Sequence, residues 1–304
     1  MKKYLIYLFM VIVAGCIASC NNDEDIDTAN SIFIDSQSEP NGFDKWLLSN
    51  YVYPYNIQVK YRLDDTETDV KYDLVPADYD NAVALMKIVK HVWIEAYDEL
   101  WGIENTRTYV PRLIQLIGNV AYTESGMILG QAEGGLKVML FRVNELDFSD
   151  PAKVDVAVLN EYYFKTMHHE FVHILHQTKN YDTEFQRISE GNYVDNDWYL
   201  SDDEEAQAKG FVNAYASSQP DEDFAETIAI YVSIKPTEWK ELLSKAGENG
   251  ASLIVRKLNM ARQYMSETWN INLDELRNVT QRRLSDVTDG TLDLSPVATL
   301  DETD

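Results

Sequence analysis

The sequence has few cysteines, few basic residues and no long apolar run. Its 304 residues include two cysteines, Cys16 and Cys20, so the chain after residue 20 contains neither a disulfide nor a thiol. The stability of that part therefore depends on core packing and on any bound metal. Lys and Arg number 26 against 51 Asp and Glu, a formal net charge of −25. Such a negative field repels nucleic acid and anionic membrane surfaces, which excludes both as direct partners.

The N-terminus has the order of an export signal. An apolar run at residues 4–14 follows two lysines and is too short to span a membrane. Small residues then precede Cys20, a pattern that resembles a bacterial lipoprotein cleavage site, and acidic residues follow. We predict a signal peptide at 1–19, lipidation of Cys20 and a polar tether at 20–41. Cleavage before Cys16, or a plain secretory peptide, remains the alternative.

Four of the five histidines lie within nine residues, around the motif His169-Glu170-x-x-His173. Positions four apart share one face of a helix, so both imidazoles can reach a single metal, with Glu170 beside them. Apolar residues at 154–164 and within the motif predict that this helix is buried, as a rigid metal site requires. A surface helix that carries histidines by chance is the alternative.

Zinc in a catalytic site needs a third protein ligand and leaves a fourth position for water. A further histidine six residues after His173 would supply it, but that position is Lys179. A later predicted helix carries Glu222 and Glu226 on one face, and buried carboxylates are normally paired or bound to metal. We therefore predict Glu222 as the ligand. Asp223 is the alternative if the helix phase is wrong by one residue, and the acids could instead complement the helix dipole.

The His169–His173 motif followed by Glu222–Glu226 resembles the gluzincins, in particular the lethal-factor-type peptidases. A closer resemblance, over most of the chain, is to the substrate-import-associated zinc metallohydrolase lipoproteins, also described as zinc-binding metallopeptidases. Four segments carry it: Phe43-Asp44-Lys45-Trp46, Pro54–Arg62, His168-His169-Glu170 and Glu222-Asp223-Phe224-Ala225-Glu226.

The resemblance implies a role for each candidate residue. One Zn²⁺ is bound by His169, His173 and Glu222. Glu170 is the general base, and Tyr215, seven residues before Glu222, donates a hydrogen bond to the oxyanion. Glu226 and His176 orient the metal ligands, whereas His168 and His91 are expected to have no catalytic role.

The implied fold is α+β, a gluzincin-like zincin with a mixed sheet, a metal-binding helix and C-terminal helices. We predict one domain at 42–285 and a solvated acidic tail at 286–304. The residue pattern predicts strands near 57–62, 110–118 and 138–143, a turn at 130–135, a long loop at 180–203, and helices at 78–100, 237–246 and 251–268. In the implied fold, the last strand before the motif lies antiparallel to a bound peptide, so the resemblance implies that residues 137–141 pair with a peptide as an added strand.

The expected function is that of a zinc-dependent metallohydrolase, foremost a peptidase. The resemblance further implies an outer-membrane lipoprotein on the cell surface or periplasmic face, attached to the membrane only by its lipid. It would act on a peptide or protein, in association with a nutrient-import complex. Two alternatives stay open: a non-catalytic accessory lipoprotein of that complex, and a hydrolase of a non-peptide amide or glycoconjugate.

Overall fold

The computed structural model describes residues 40–63, 72–123, 126–128, 130–133 and 137–297. The predicted signal peptide, Cys20 and nearly all of the predicted tether lie outside the described residues. Within these ranges, no helix is both long enough and apolar enough to cross a membrane.

Three helices come before the second strand of the sheet along the chain. They are α1 (Gly42–Leu47, continued by a π-helical Leu48–Val52 and by Tyr53–Tyr55), α2 (Tyr79–Val89, a π-helical Lys90–Ile94, and Glu95–Trp101) and α3 (Ile103–Tyr109). A capping box starts α1, because Asn41 and Asp44 each accept a hydrogen bond from the other's backbone N–H. The predicted helix at 78–100 corresponds to α2.

The sheet is small and mixed. Its strands are β1 (Gln58–Lys60), β2 (Leu113–Leu116), β5 (Gly130–Glu133) and β6 (Lys137–Leu140), in the spatial order β1-β2-β6-β5. The first three strands in that order are parallel, and β5 is antiparallel to β6. Strands β3 (Ala121–Thr123) and β4 (Gly126–Ile128) pair antiparallel in a separate two-stranded sheet. The architecture is therefore α+β with a predominance of helix.

Two predictions about this sheet are wrong. Of the turn predicted at 130–135, residues 130–133 form β5 instead, because the ladder to β6 overrides the local glycine signal, whereas residues 134–135 lie outside the described residues. The predicted peptide-pairing strand at 137–141 contains β6, which is already hydrogen-bonded to β2 on one side and to β5 on the other. Strand β6 therefore has no free edge with which a bound peptide could pair.

The remainder is helical. The elements are α4 (Val156–Leu159, a π-helical Asn160–Phe164, and Lys165–Thr178), α5 (Glu184–Arg187), α6 (Asp203–Ala208), α7 (Pro220–Ser233), α8 (Pro236–Lys245), α9 (Gly247–Trp269) and α10 (Leu273–Thr288). The predicted loop at 180–203 contains α5 and a 3₁₀ turn at Asp195–Leu200. Helices α8 and α9 match predicted helices, whereas α10 has no counterpart among them.

The predicted boundary between domain and tail at 285/286 falls inside α10. Asp286 lies 2.9 Å from Nε2 of His91, and Leu292, Leu294 and Val297 pack against the core. The chain therefore remains part of the domain well beyond residue 285, because these apolar side chains return it to the core.

The core places α4 beside α7. Phe171 and Leu175 of α4 are fully buried, and so are Ala225 and Ile228 of α7. Phe171 also contacts the rings of α2, with its centroid 4.8 Å from that of Tyr97. Burial of a large apolar side chain contributes about 1.5–3 kcal/mol, so this packing fixes the two helices that carry the candidate ligands.

Candidate metal centre

Three ligand atoms from α4 and α7 converge on one point. Nε2 of His169 lies 2.9 Å from Nε2 of His173, and Oε2 of Glu222 lies 3.1 Å and 3.3 Å from these two nitrogens. His169 and His173 are four residues apart on α4, and Glu222 comes from the first turn of α7. Among the described residues, these three form the group of His, Cys, Asp or Glu side chains arranged to hold a metal ion.

The donor set fits zinc. Two imidazole nitrogens and one carboxylate oxygen form a known ligand set of catalytic zinc, and bonds of about 2.0–2.2 Å place two donors of one ion up to about 4 Å apart. The observed separations lie within that limit. Burial opposes ionisation of Glu222, but hydrogen bonds with His169 and His173 and their charge hold its pKa well below its usual range.

Glu226 contacts the far side of His169. Its Oε1 lies 2.8 Å from Nδ1 of His169, and its Oε2 accepts a hydrogen bond of 2.5 Å from Nδ2 of Asn213. Nζ of Lys165 is 3.8 Å from the same carboxylate. Burial disfavours the charged form, but Lys165 and His169 lower the pKa of Glu226 to about 2. Glu226 is thus ionised and able to orient the imidazole of His169.

His176 holds His173 in the same manner. Nδ1 of His173 lies 2.8 Å from Nε2 of His176, one turn further along α4. Burial and the charge of His173 lower the pKa of His176 to about 4. Both imidazoles of the motif therefore have a polar partner behind the nitrogen that faces the site.

Glu170 lies next to His169 on α4 and is partly buried. Burial raises the pKa of its carboxyl, and Glu222 and Glu226 add to this effect, while His169 and His173 oppose it. A carboxylate whose pKa is raised towards neutrality is better matched to accepting and returning a proton.

Tyr215 lies beside the ligands, in a 3₁₀ turn at Tyr215–Ser217 just before α7. Its ring centroid is 5.9 Å from that of His169 and 5.1 Å from that of Trp198, with which it forms a T-shaped pair. Burial, the charge of Glu222 and a hydrogen bond to that carboxylate raise the pKa of Tyr215 well above its usual range. Its hydroxyl therefore keeps its proton and remains a hydrogen-bond donor.

Asp223, the alternative ligand, points elsewhere. Its Oδ2 lies 2.6 Å from Nζ of Lys257 and accepts a hydrogen bond of 2.8 Å from the hydroxyl of Tyr193. The helix phase that places Glu222 towards the two histidines is therefore the one that the structure adopts.

The two remaining histidines lie away from this point. His168 is fully buried, and its Nδ1 is 2.9 Å from the hydroxyl of Tyr97 on α2. His91 interacts with Glu95 and Asp286. Sequence reasoning missed Asn213, Lys165, Trp198 and Lys257, because their contacts with the site or its neighbours follow no regular spacing.

The comparisons with known proteins agree with this geometry. Residues 36–274 match the family model described as "Putative zinc-binding metallo-peptidase". A solved structure of a putative zinc-binding metallo-peptidase from Bacteroides caccae is 43% identical, with a TM-score of 0.74, and the match covers 88% of this chain and 100% of that one. The search of curated proteins gave no match. The predicted zinc cofactor is confirmed by the family and by the three-residue site.

Proposed function

Because the chain belongs to the family of putative zinc-binding metallo-peptidases, we propose that it hydrolyses peptide bonds at the His169, His173 and Glu222 site. The observation that carries this proposal is the position of Glu170. Its partly buried carboxyl adjoins a ligand and has a raised pKa, an arrangement that binding of a structural ion does not require.

The residues divide the chemistry among them. Zinc, when bound by the three ligands, supplies a Lewis acid that polarises the scissile carbonyl and makes water more acidic. Glu170 takes a proton from the attacking water and delivers it to the leaving amine. The Tyr215 hydroxyl donates a hydrogen bond to the developing oxyanion. Glu226 and His176 keep the two imidazoles in place.

A peptide substrate would extend the sheet. In the described part of the chain, β5 is the last strand of the sheet and is paired with β6 alone, so it is the strand to which a peptide would be added. The pairing predicted for residues 137–141 is thus reassigned to Gly130–Glu133. Main-chain hydrogen bonds of this kind would hold many peptide sequences in one orientation.

The proposal includes a location and a setting. Lipidation of Cys20 would attach the enzyme to the outer membrane, on the periplasmic or external face, with residues 21–41 as a tether. There it would act on peptides or proteins in association with a nutrient-import complex. The support for this part is the lipoprotein-like pattern that ends at Cys20 and the resemblance described above.

The test is Glu170→Gln. The amide keeps the shape of the side chain but cannot accept the proton, so we expect hydrolysis to fall about 10²–10⁴-fold with one zinc still bound. Turnover would be measured on a broad peptide library by mass spectrometry, and zinc by elemental analysis of the same samples. The matched control is Glu161→Gln, an exposed glutamate earlier on α4.

Three outcomes would overturn the proposal. Near-wild-type turnover in Glu170→Gln would remove Glu170 as the base. Zinc bound without hydrolysis of any library peptide would favour the accessory-lipoprotein alternative. Cleavage confined to amide-bearing glycoconjugates would move the activity to a non-peptide substrate.

A further inference from the structure

Lys257 is a lysine buried in the protein interior. It lies on α9, and its side chain is 1% exposed. Its Nζ is 2.6 Å from Oδ2 of Asp223, which is 0% exposed, and it donates a hydrogen bond of 2.7 Å to the carbonyl oxygen of Gly210. Desolvation of two charges commonly cancels the attraction between them, so a buried ion pair is weak evidence for stability alone. Its position suggests another role.

The two partners of Lys257 belong to the two segments that complete the metal centre. Asp223 directly follows Glu222 in the first turn of α7. Gly210 has a φ of +92°, a conformation that L side chains rarely adopt, and it opens the segment that leads to Tyr215. On the same segment, Asn213 donates to Glu226. One ammonium thus connects the turn that bears Glu222 with the segment that bears Asn213 and Tyr215.

Aromatic rings hold this ammonium in place. Its Nζ is 4.1 Å from the centroid of Phe211, 5.8 Å from that of Phe185 and 6.0 Å from that of Tyr193. The hydroxyl of Tyr193 also donates to Asp223. Aromatic faces within about 6 Å attract a cation, so the lysine is restrained on several sides and not only by its two acceptors.

We propose that Lys257 is a positioning residue of the zinc site. Its ammonium sets the distance between the first turn of α7 and the segment 210–217, and thereby places the Glu222 carboxylate and the Tyr215 hydroxyl relative to His169. The part of this inference that concerns Tyr215 rests on the proposed function; the part that concerns Glu222 rests on the ligand geometry.

The test compares Lys257→Met with Arg277→Met. Arg277 is also a buried cation, on α10, and it anchors the opposite end of α7, where its guanidinium donates hydrogen bonds of 2.9 Å and 2.8 Å to the carbonyl oxygen of Ile234. The two anchoring points lie about 17 Å apart along the helix, at 1.5 Å per residue. Both variants exchange a buried cation for methionine, and both are expected to melt at lower temperature.

The two variants should differ in two further measurements. In Lys257→Met, competition with a chromophoric chelator should give a zinc Kd raised about tenfold, the lower end for loss of a residue that supports a ligand. In the zinc-free protein, amide hydrogen exchange should become faster at 210–218 and in the first turn of α7. In Arg277→Met, the zinc Kd should stay unchanged, and faster exchange should be confined to the C-terminal end of α7.

Asp223→Asn provides a second variant if Lys257→Met fails to fold. It removes the charge partner in α7 but leaves the hydrogen bond from Lys257 to Gly210, so faster exchange should appear in the first turn of α7 and not at 210–218. An unchanged zinc Kd and unchanged exchange in Lys257→Met, or equal effects in Arg277→Met, would overturn the inference. A wild-type protein that binds zinc but cleaves no peptide would refute the proposed function. The zinc Kd and the hydrogen exchange of the two variants would still decide whether Lys257 positions the zinc site.

Discussion

Histidines meet carboxylates in two regions of this molecule, with different results. At the metal centre, His169 and His173 face Glu222 and each other. In the His91 cluster, formed by His91, Glu95, Asp286 and Arg283, the two ring nitrogens of His91 contact two different carboxylates, at 2.9 Å and 3.3 Å. Nη1 of Arg283 lies 3.1 Å from Glu95.

The difference lies in where the positive charge comes from. In the His91 cluster, Arg283 supplies a permanent cation, and hydrogen bonds to Glu95 and Asp286 raise the pKa of His91 despite its partial burial. That cluster therefore favours the protonated form of His91. At the metal centre, Glu170, Glu222 and Glu226 outnumber Lys165, and three donor atoms converge. Residue types alone do not make a metal site; convergence of lone pairs and uncompensated negative charge do.

The largest effect is expected from exchange of one histidine in each region. His173→Ala should reduce bound zinc from about one ion per chain to almost none, because a catalytic site has three protein ligands and cannot spare one. His91→Ala should keep its zinc. Elemental analysis after dialysis measures the zinc content of both variants. Equal zinc loss would show that the metal centre and the His91 cluster do not differ in their contribution to zinc binding.

The next effect concerns a single hydroxyl. Tyr215→Phe should lower kcat about 10²–10³-fold, as loss of one oxyanion donor does, with little change in melting temperature. Tyr163→Phe is the matched control, because the buried hydroxyl of Tyr163 donates a hydrogen bond of 3.0 Å to the carbonyl oxygen of Phe141. The control should lose stability and retain kcat. The reverse pattern would make Tyr215 a packing residue.

A smaller effect is expected from the carboxylates that contact the histidines. Glu226→Gln should raise the zinc Kd about 10- to 100-fold, because residues behind metal ligands typically contribute that much. Glu95→Gln makes the same change beside His91 and should leave the zinc Kd unaltered. Chelator competition on both variants tests this pair, and an unchanged Kd in Glu226→Gln would show that the contact with His169 does not support binding.

The smallest effect is a pH dependence. The pKa of His91 is raised in the folded protein, so its stabilising contribution is fully present below its unfolded pKa of about 6.5 and is lost as pH rises through the folded value. Urea unfolding of wild type and His91→Gln should therefore differ most in mildly acidic solution and converge in alkaline solution. A difference independent of pH would contradict the assignment of a bound proton to this cluster.

The sequence is most informative where contacts are local. His169, Glu170 and His173 lie within one helical turn, so their arrangement follows from helix geometry alone. The position of Glu222 is harder to predict, because it depends on a second helix that packs beside the first. That packing was inferred from the apolar pattern of α7 and from the family resemblance. The contacts of Asn213 and Lys257 cannot be predicted in this way. No spacing rule, for example, relates position 257 to its partners at positions 210 and 223.

The same difference between local and long-range contacts decides which fold elements can be predicted from the sequence. Helix α2 has an apolar face with helical spacing and is predictable from it. Strand β5 is not, because the glycines at 130, 134 and 135 indicate a turn and only pairing with β6 makes residues 130–133 a strand. Helix α10 is largely polar, and packing of a few residues, such as Leu276 and Leu284, against the core determines its place. The sequence alone does not show which part of the core these residues contact.

The contact between Nδ1 of His173 and Nε2 of His176 also determines where protons are carried. A neutral imidazole donates from one nitrogen and accepts at the other. If Nε2 of His173 binds zinc, its proton would reside on Nδ1 and be donated to Nε2 of His176, which would then carry its own proton on Nδ1. With zinc on its Nε2, His169 would reach the same state, because its Nδ1 faces Glu226. In the zinc-bound protein, three of the four histidines on α4 would thus share a single tautomer, the Nδ1–H form, which long-range ¹H–¹⁵N spectra identify directly.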